Sequence, residues 1–94
     1  MELTVRLPSA LRPRAADKST VDIEVPETAT LADLLDELAA RYPALERRLR
    51  DERRELRRYV NFFVDGEECR RLAGAATPLR GAAEVQIIPS VAGG

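Results

Sequence analysis

Apolar residues fall at every second position in four stretches of this chain. Leu3, Val5 and Leu7 alternate with polar neighbours, as do Val21, Ile23 and Val25; Val60, Phe62 and Val64 alternate with Tyr59, Asn61 and Phe63, and Val85 and Ile87 with Gln86 and Ile88. A period of two puts alternate side chains on one face of a β-strand. Between the second and third stretches the period changes. Leu31, Leu34, Leu35, Leu38 and Tyr42 follow the i, i+3, i+4, i+7 spacing of a single apolar stripe on a helix. One-sided strands and a one-striped helix can hide their apolar faces only against each other. A sheet with one helix across one face meets that requirement and hides the stripe from Leu31 to Tyr42.

Local signals set the limits of each element. The first strand covers residues 2–7, and residues 8–18 form a polar connection carrying Pro13. The second strand, residues 21–25, is stopped by Pro26, so the two read as an antiparallel hairpin with a long loop. Thr30 stands where a helix cap belongs, and Asp33 three residues on resembles a capping box. Asp33 and Asp36 also lie in the early turns, where the helix dipole favours negative charge. Pro43 ends the helix, because a proline disfavours helical geometry in the residue before it. Leu45, Leu49 and Leu56 keep a weaker helical rhythm through the arginine-rich stretch beyond it, which reads as a second helical segment.

Residues 58–65 form the next strand, closed by the turn pair Asp65-Gly66. Residues 67–71 read as a short strand with Cys69 inward, residues 73–83 as a loop, and residues 84–89 as the last strand. The fold class is therefore α+β: a mixed sheet of four to five strands with one main helix across one face. Parallel pairing of the first and last strands would complete the β-grasp arrangement, that of ubiquitin. Residues 1–89 make one domain, followed by a flexible tail at residues 90–94.

The residue inventory excludes most catalysis. With no His, the usual base near neutral pH and the commonest transition-metal ligand are missing. A single Cys69 cannot build a disulfide, a cysteine zinc cage or an iron–sulfur cluster. The expectation is a protein without its own active site, metal or bound cofactor. No apolar run approaches the length of a membrane span, and no charged-then-apolar leader is present, so the expected location is the cytoplasm.

Net charge is −1, but residues 46–58 hold seven Arg against four acids. Glu46–Arg50 at i,i+4, and Asp51–Arg54 and Glu55–Arg58 at i,i+3, would make this a solvated helical face. Docking onto an acidic protein partner ranks behind that reading. Nucleic acid ranks last, because no aromatics are interleaved with the Arg for base stacking.

Two glycines, Gly93 and Gly94, follow Val91-Ala92 at the C-terminus. Glycine lacks Cβ and lets an active-site wall approach closely. Taken alone, such a tail is a frayed end. What precedes it changes that reading.

The stretches Arg58-Tyr59-Val60-Asn61-Phe62-Phe63-Val64-Asp65-Gly66 and Val85-Gln86-Ile87-Ile88-Pro89-Ser90-Val91-Ala92-Gly93-Gly94 resemble the small ubiquitin-like sulfur carriers of the MoaD/ThiS family. The resemblance covers nearly the whole chain, and its pattern is most similar to the CysO type of cysteine biosynthesis. Ala82-Ala83 departs from the Gly-Asp that the family usually carries before its last strand.

The resemblance implies that an E1-like adenylyltransferase uses ATP to activate the carboxylate of Gly94, and that a sulfur donor then leaves a thiocarboxylate there. Gly93, Ala92 and Val91 would be the residues recognised in the partner's channel. The acceptor would be a cysteine-synthase-like enzyme, and a metalloprotease could release the product. Molybdopterin, thiamin or a specialised sulfur metabolite are alternative destinations, and a modifier joined to target lysines through Gly94 is the competing class. Alternation puts Phe63 and Ile88 on the sheet face away from the helix, where they are candidates for partner docking. Cys69 reads as a buried small hydrophobe rather than a sulfur relay.

Overall fold

The computed structural model of the chain describes residues 1–90; residues 91–94 lie outside the described residues. Within them, five strands form one mixed sheet: β1 (Glu2–Arg6), β2 (Thr20–Glu24), β3 (Val60–Val64), β4 (Glu67–Glu68) and β5 (Glu84–Pro89). Two helices follow the second strand, α1 (Leu31–Arg41) and α2 (Pro43–Leu49). The sheet order is β2-β1-β5-β3-β4. β1 and β5 pair in parallel, with Val5 opposite Val85, and the other neighbours are antiparallel. This is the expected β-grasp arrangement, with a second helix joined to the main one.

The period-two residues form the inner face. Leu3, Val5, Ile23, Phe62, Val85 and Ile87 are at most 1% exposed. The helical stripe lies against them, with Leu31, Leu34, Leu35 and Leu38 equally buried. At about 25 cal/mol per Å² of apolar area, each such side chain contributes on the order of 1.5–3 kcal/mol.

The cap of α1 is the one expected. Thr30 Oγ1 accepts from Asp33 N at 3.3 Å, and Asp33 Oδ2 accepts from Thr30 N at 2.9 Å. Tyr42, with φ −132°, leaves helical geometry immediately before Pro43, as that proline requires. The same proline then opens α2, where a missing N–H costs nothing.

Four local expectations are corrected. Residues 8–18 are not simply polar, since Leu11 and Ala15 bracket a 3₁₀ turn (Arg12–Ala15) and both are buried. The strand expected over residues 67–71 stops at Glu68, because the Glu68 carboxylate accepts from Arg70 N and draws Cys69–Arg71 into a 3₁₀ turn. Cys69 still enters the core. Residues 73–83 hold a 3₁₀ turn (Gly74–Ala76) and send Leu79 into the core at 0% exposure.

The fourth correction concerns the arginine-rich stretch. Helix α2 ends at Leu49, and Arg50 turns into a bridge with Leu56. Asp51 Oδ1 accepts from Arg53 N and Glu55 N, at 2.8 and 3.0 Å, which folds residues 51–55 into a turn. The expected Asp51–Arg54 and Glu55–Arg58 pairs are therefore absent among the described residues, whereas Glu46–Arg50 is present at 2.9 Å.

Arg50 is the charged residue buried deepest, at 2% exposure. Its Nη2 reaches Asp36 on α1 at 2.9 Å, while its Nε donates to Glu46 on α2. Burial works against its charge, but hydrogen bonds and attraction from Glu46 and Asp36 outweigh that and raise its pKa. The two helices and the following turn are thus tied at one guanidinium. Arg50→Ala leaves two carboxylates without their shared cation and is expected to cost about 2 kcal/mol in urea unfolding. Arg54→Ala, removing an exposed pair with the same Asp36, is expected to cost under about 1 kcal/mol.

Candidate functional site

The last strand is central in the sheet, so its exit point is set by its neighbours. β1 reaches no further along β5 than Gln86, opposite Arg6, whereas β3 continues to Pro89, opposite Val60. Pro89 therefore stands where only one side of β5 is paired, and its missing N–H breaks no ladder toward β1. Ser90 N donates to Tyr59 O at 2.6 Å, which holds the strand against β3 up to the last described residue. Val91, Ala92, Gly93 and Gly94 lie outside the described residues. The root of the tail is the sheet end shared by β3 and β5.

At the opposite end of β5 the strand starts beside the Asp65-Gly66 turn. Asp65 and Gly66 both have positive φ, +47° and +86°, as a two-residue hairpin turn needs. The Asp65 carboxylate accepts from Ala83 N and Glu84 N at 3.0 and 2.9 Å. An aspartate on the neighbouring hairpin thus satisfies the backbone at the start of β5.

Phe63 and Ile88 do share the outer face of the sheet. Phe63 pairs with Gln86 and Ile88 with Asn61, so the two apolar residues are diagonal neighbours on adjacent strands. Phe63 is half-buried and Ile88 is 37% exposed. Tyr59, of the same parity as Phe63, is 55% exposed and extends this row toward the tail root. Its parity made that position legible, but its importance comes from standing beside Ser90.

A second feature was not legible. Arg14, Arg47, Arg48, Arg57 and Arg58 line one groove with a volume of about 950 Å³, and Pro89 and Ser90 form part of its wall. Leu11, Leu56 and Val60 also line it. Because α2 ends at Leu49 and the chain doubles back, residues 47–48 and 57–58 meet across a hairpin-like turn instead of following one another along a helix. Arg57 Nε donates to Arg47 O at 2.8 Å and fixes that approach. The sequence signal was the Arg density itself, but its convergence with Arg14 required the fold.

Cys69 is fully buried. Burial first, and then the Glu68 charge and hydrogen bond, push its thiol up to about 11. At neutral pH it is neither exposed nor ionised, as the sequence suggested. Among the described residues no group of three or more carboxylate or thiol side chains converges to hold a metal ion.

Comparison with known proteins gives a consistent result. Residues 5–94 match the model of the ThiS family. Sulfur carrier protein CysO of Mycobacterium tuberculosis is 34% identical over 96 residues, covering 100% of both chains. Small archaeal modifier protein 3 of Haloferax volcanii is 36% identical over 94 residues, again covering 100% of both. Among solved structures, a chain of the Amycolatopsis orientalis BexX/CysO complex superposes with a TM-score of 0.85 at 28% identity, covering 98% of this chain and 99% of that one.

A thiol with its pKa raised from 9.0 to about 11 stays protonated through pH 9 in the folded protein. Iodoacetamide at pH 8 is therefore expected to alkylate Cys69 at least about tenfold more slowly than in urea. Because the folded thiol holds its proton longer than the unfolded one, Cys69 is also expected to lower stability as pH rises from about 9 to 11. Alkylation at equal rates in both states would show that the thiol is accessible.

Proposed function

This chain belongs to the ThiS family, and on that footing we propose that it is a sulfur carrier whose Gly94 carboxylate becomes a thiocarboxylate. The observation that carries the proposal is the end-to-end match with sulfur carrier protein CysO, in a fold whose central strand leads to the tail root. A carboxylate is a poor electrophile until one oxygen becomes part of a leaving group. An E1-like partner would transfer adenylate from ATP to Gly94, releasing pyrophosphate. A hydrosulfide equivalent would then attack the acyl carbon, expel AMP, lose its proton and leave the thiocarboxylate.

The chain's part in this is presentation. From Ser90 to Gly94, five residues reach at most about 17 Å. That length can enter a narrow channel while the folded body remains outside. Val91 and Ala92 would fill the channel, and Gly93 and Gly94 would pass its narrowest point because they lack Cβ. The body would dock through Phe63, Ile88 and Tyr59, the outward apolar row that leads to Ser90. In this reading the protein is a cosubstrate with no active site of its own, works in the cytoplasm, and uses ATP only through its partner.

Cysteine formation is the proposed destination, by a cysteine-synthase-like enzyme that takes sulfur from the thiocarboxylate, with a metalloprotease releasing the product. Support comes from the CysO relative and from the Val-Ala-Gly-Gly ending. A second reading is favoured by the similarity to small archaeal modifier protein 3, namely conjugation of Gly94 to lysines of other proteins. Intact mass separates the two. Exchange of one oxygen for sulfur after incubation with activating enzyme, sulfide and ATP supports the carrier. An isopeptide on another protein supports the modifier.

Gly94→Ala is expected to fold as the wild type does but to lose at least about 90% of thiocarboxylate formation, with Gly93→Ala less affected. Unchanged adenylation of Gly94→Ala would sink the proposal. Phe63→Glu is expected to weaken binding to the activating enzyme by about tenfold or more, measured by calorimetry, with its far-UV spectrum unchanged.

A further inference from the structure

The groove at the tail root has a feature that the sulfur-carrier reading does not use. Among the described residues, Arg6, Arg50, Arg54 and Arg70 each pair with a carboxylate. None of the five groove arginines does so. Asp51 and Glu55 also line the groove, leaving an excess of three positive charges among the described residues. The Asp51 carboxylate is already engaged by the N–H groups of Glu55 and Arg53, and these hydrogen bonds hold its pKa low.

We propose that this groove is the docking site for an acidic, carboxylate-rich segment of the protein that activates Gly94. The proposal rests on the sulfur-carrier reading for the identity of that partner, and on the groove's chemistry for its character. Guanidinium groups take carboxylates in bidentate fashion. One exposed pair is worth at most about 1 kcal/mol. Several on one concave wall act together, raise the encounter rate and fix orientation.

The floor adds selectivity. Leu11 and Val60 are buried and Leu56 half-buried, so an apolar side chain between the acids would have somewhere to sit. A volume near 950 Å³ is at the upper end of the roughly 300–1,000 Å³ typical of ligand sites. Nucleic acid fits less well, because Tyr59 is the one aromatic on the wall and successive bases need successive stacking partners.

Position gives the groove its use. Pro89 and Ser90 belong to the same wall, so a segment seated there lies beside the point from which the tail departs. The outer apolar row and the groove meet at Tyr59. A partner could therefore hold the tail root from two sides, apolar on the sheet face and acidic in the groove.

The test uses the full chain in two assays. In the first, an octaglutamate peptide is titrated while the arginine Nε–Hε signals are followed by NMR. The signals of Arg47, Arg48, Arg57 and Arg58 are expected to shift, and Arg48→Glu/Arg58→Glu to bind at least about tenfold more weakly. Arg71→Glu/Arg80→Glu, away from the groove, is expected to bind as the wild type does. Equal weakening by the two double variants would overturn the proposal. So would displacement by a ten-nucleotide oligonucleotide at lower concentration than peptide, which would indicate nucleic acid. A tenfold gain on deleting residues 91–94 would also overturn it, since the chain's own tail would then be the occupant.

In the second assay, ATP-dependent activation by the E1-like enzyme is expected to show KM for Arg48→Glu/Arg58→Glu raised about tenfold with kcat unchanged. An unchanged KM would overturn the docking proposal while thiocarboxylation stands. No adenylation of the wild type would instead overturn the sulfur-carrier reading, and with it the partner's identity, whatever the peptide result.

Discussion

Parallel pairing of β1 with β5 is the constraint on which the rest depends. It joins the two ends of the described chain, with Thr4 opposite Glu84 and Arg6 opposite Gln86, and so makes the last strand an interior one. An interior strand is buried on its inner face and held on both edges, which is why Val85 and Ile87 are at most 1% exposed. The same pairing leaves the end of β5 supported only by β3. Pro89 and Ser90 are therefore held by β3 on one side and line the arginine groove with Leu11 and Arg14.

Burial of the α1 stripe then decides the surface chemistry. Once Leu31, Leu34, Leu35 and Leu38 cover the inner face, the outer face is free to carry Phe63, Ile88 and Tyr59. The last turn of α2 lies beside Pro89 and Ser90, and the chain turns back at Arg50. That turn costs the burial of a guanidinium, and Glu46 and Asp36 offset the cost through direct contacts. One buried cation thereby positions the exposed arginines on either side of it. Arg50 thus ties α1, α2 and the following turn together through Asp36 and Glu46.

Much of this was readable from residue order. The two periods identified the core faces, Thr30 with Asp33 marked the start of α1, Pro43 marked its end, and Asp65-Gly66 marked the hairpin. Each of these signals acts within a few residues, through dihedral preferences or hydrogen bonds to nearby backbone. Leu11, Ala15 and Leu79 were harder to assign because short 3₁₀ turns carry no sustained period. In the arginine-rich stretch the helix and the Glu46–Arg50 pair form as expected, and only the continuation past residue 50 differs. Charge spacing favoured a continued helix, but Asp51 bonding to Arg53 N and Glu55 N competed successfully with it.

By itself, the sequence determined which residues are buried in the regular elements, the order of those elements, and the absence of histidine or paired cysteines for catalysis. These follow from side-chain period and inventory, which need no knowledge of distant neighbours. Tertiary structure decided what distant residues do together. Arg14 joins Arg47, Arg48, Arg57 and Arg58 in one groove, Asp65 serves the backbone of Ala83 and Glu84, and Arg50 reaches Asp36 across two helices. Contacts of that kind depend on how the sheet and helices pack, and no local pattern of residues encodes them.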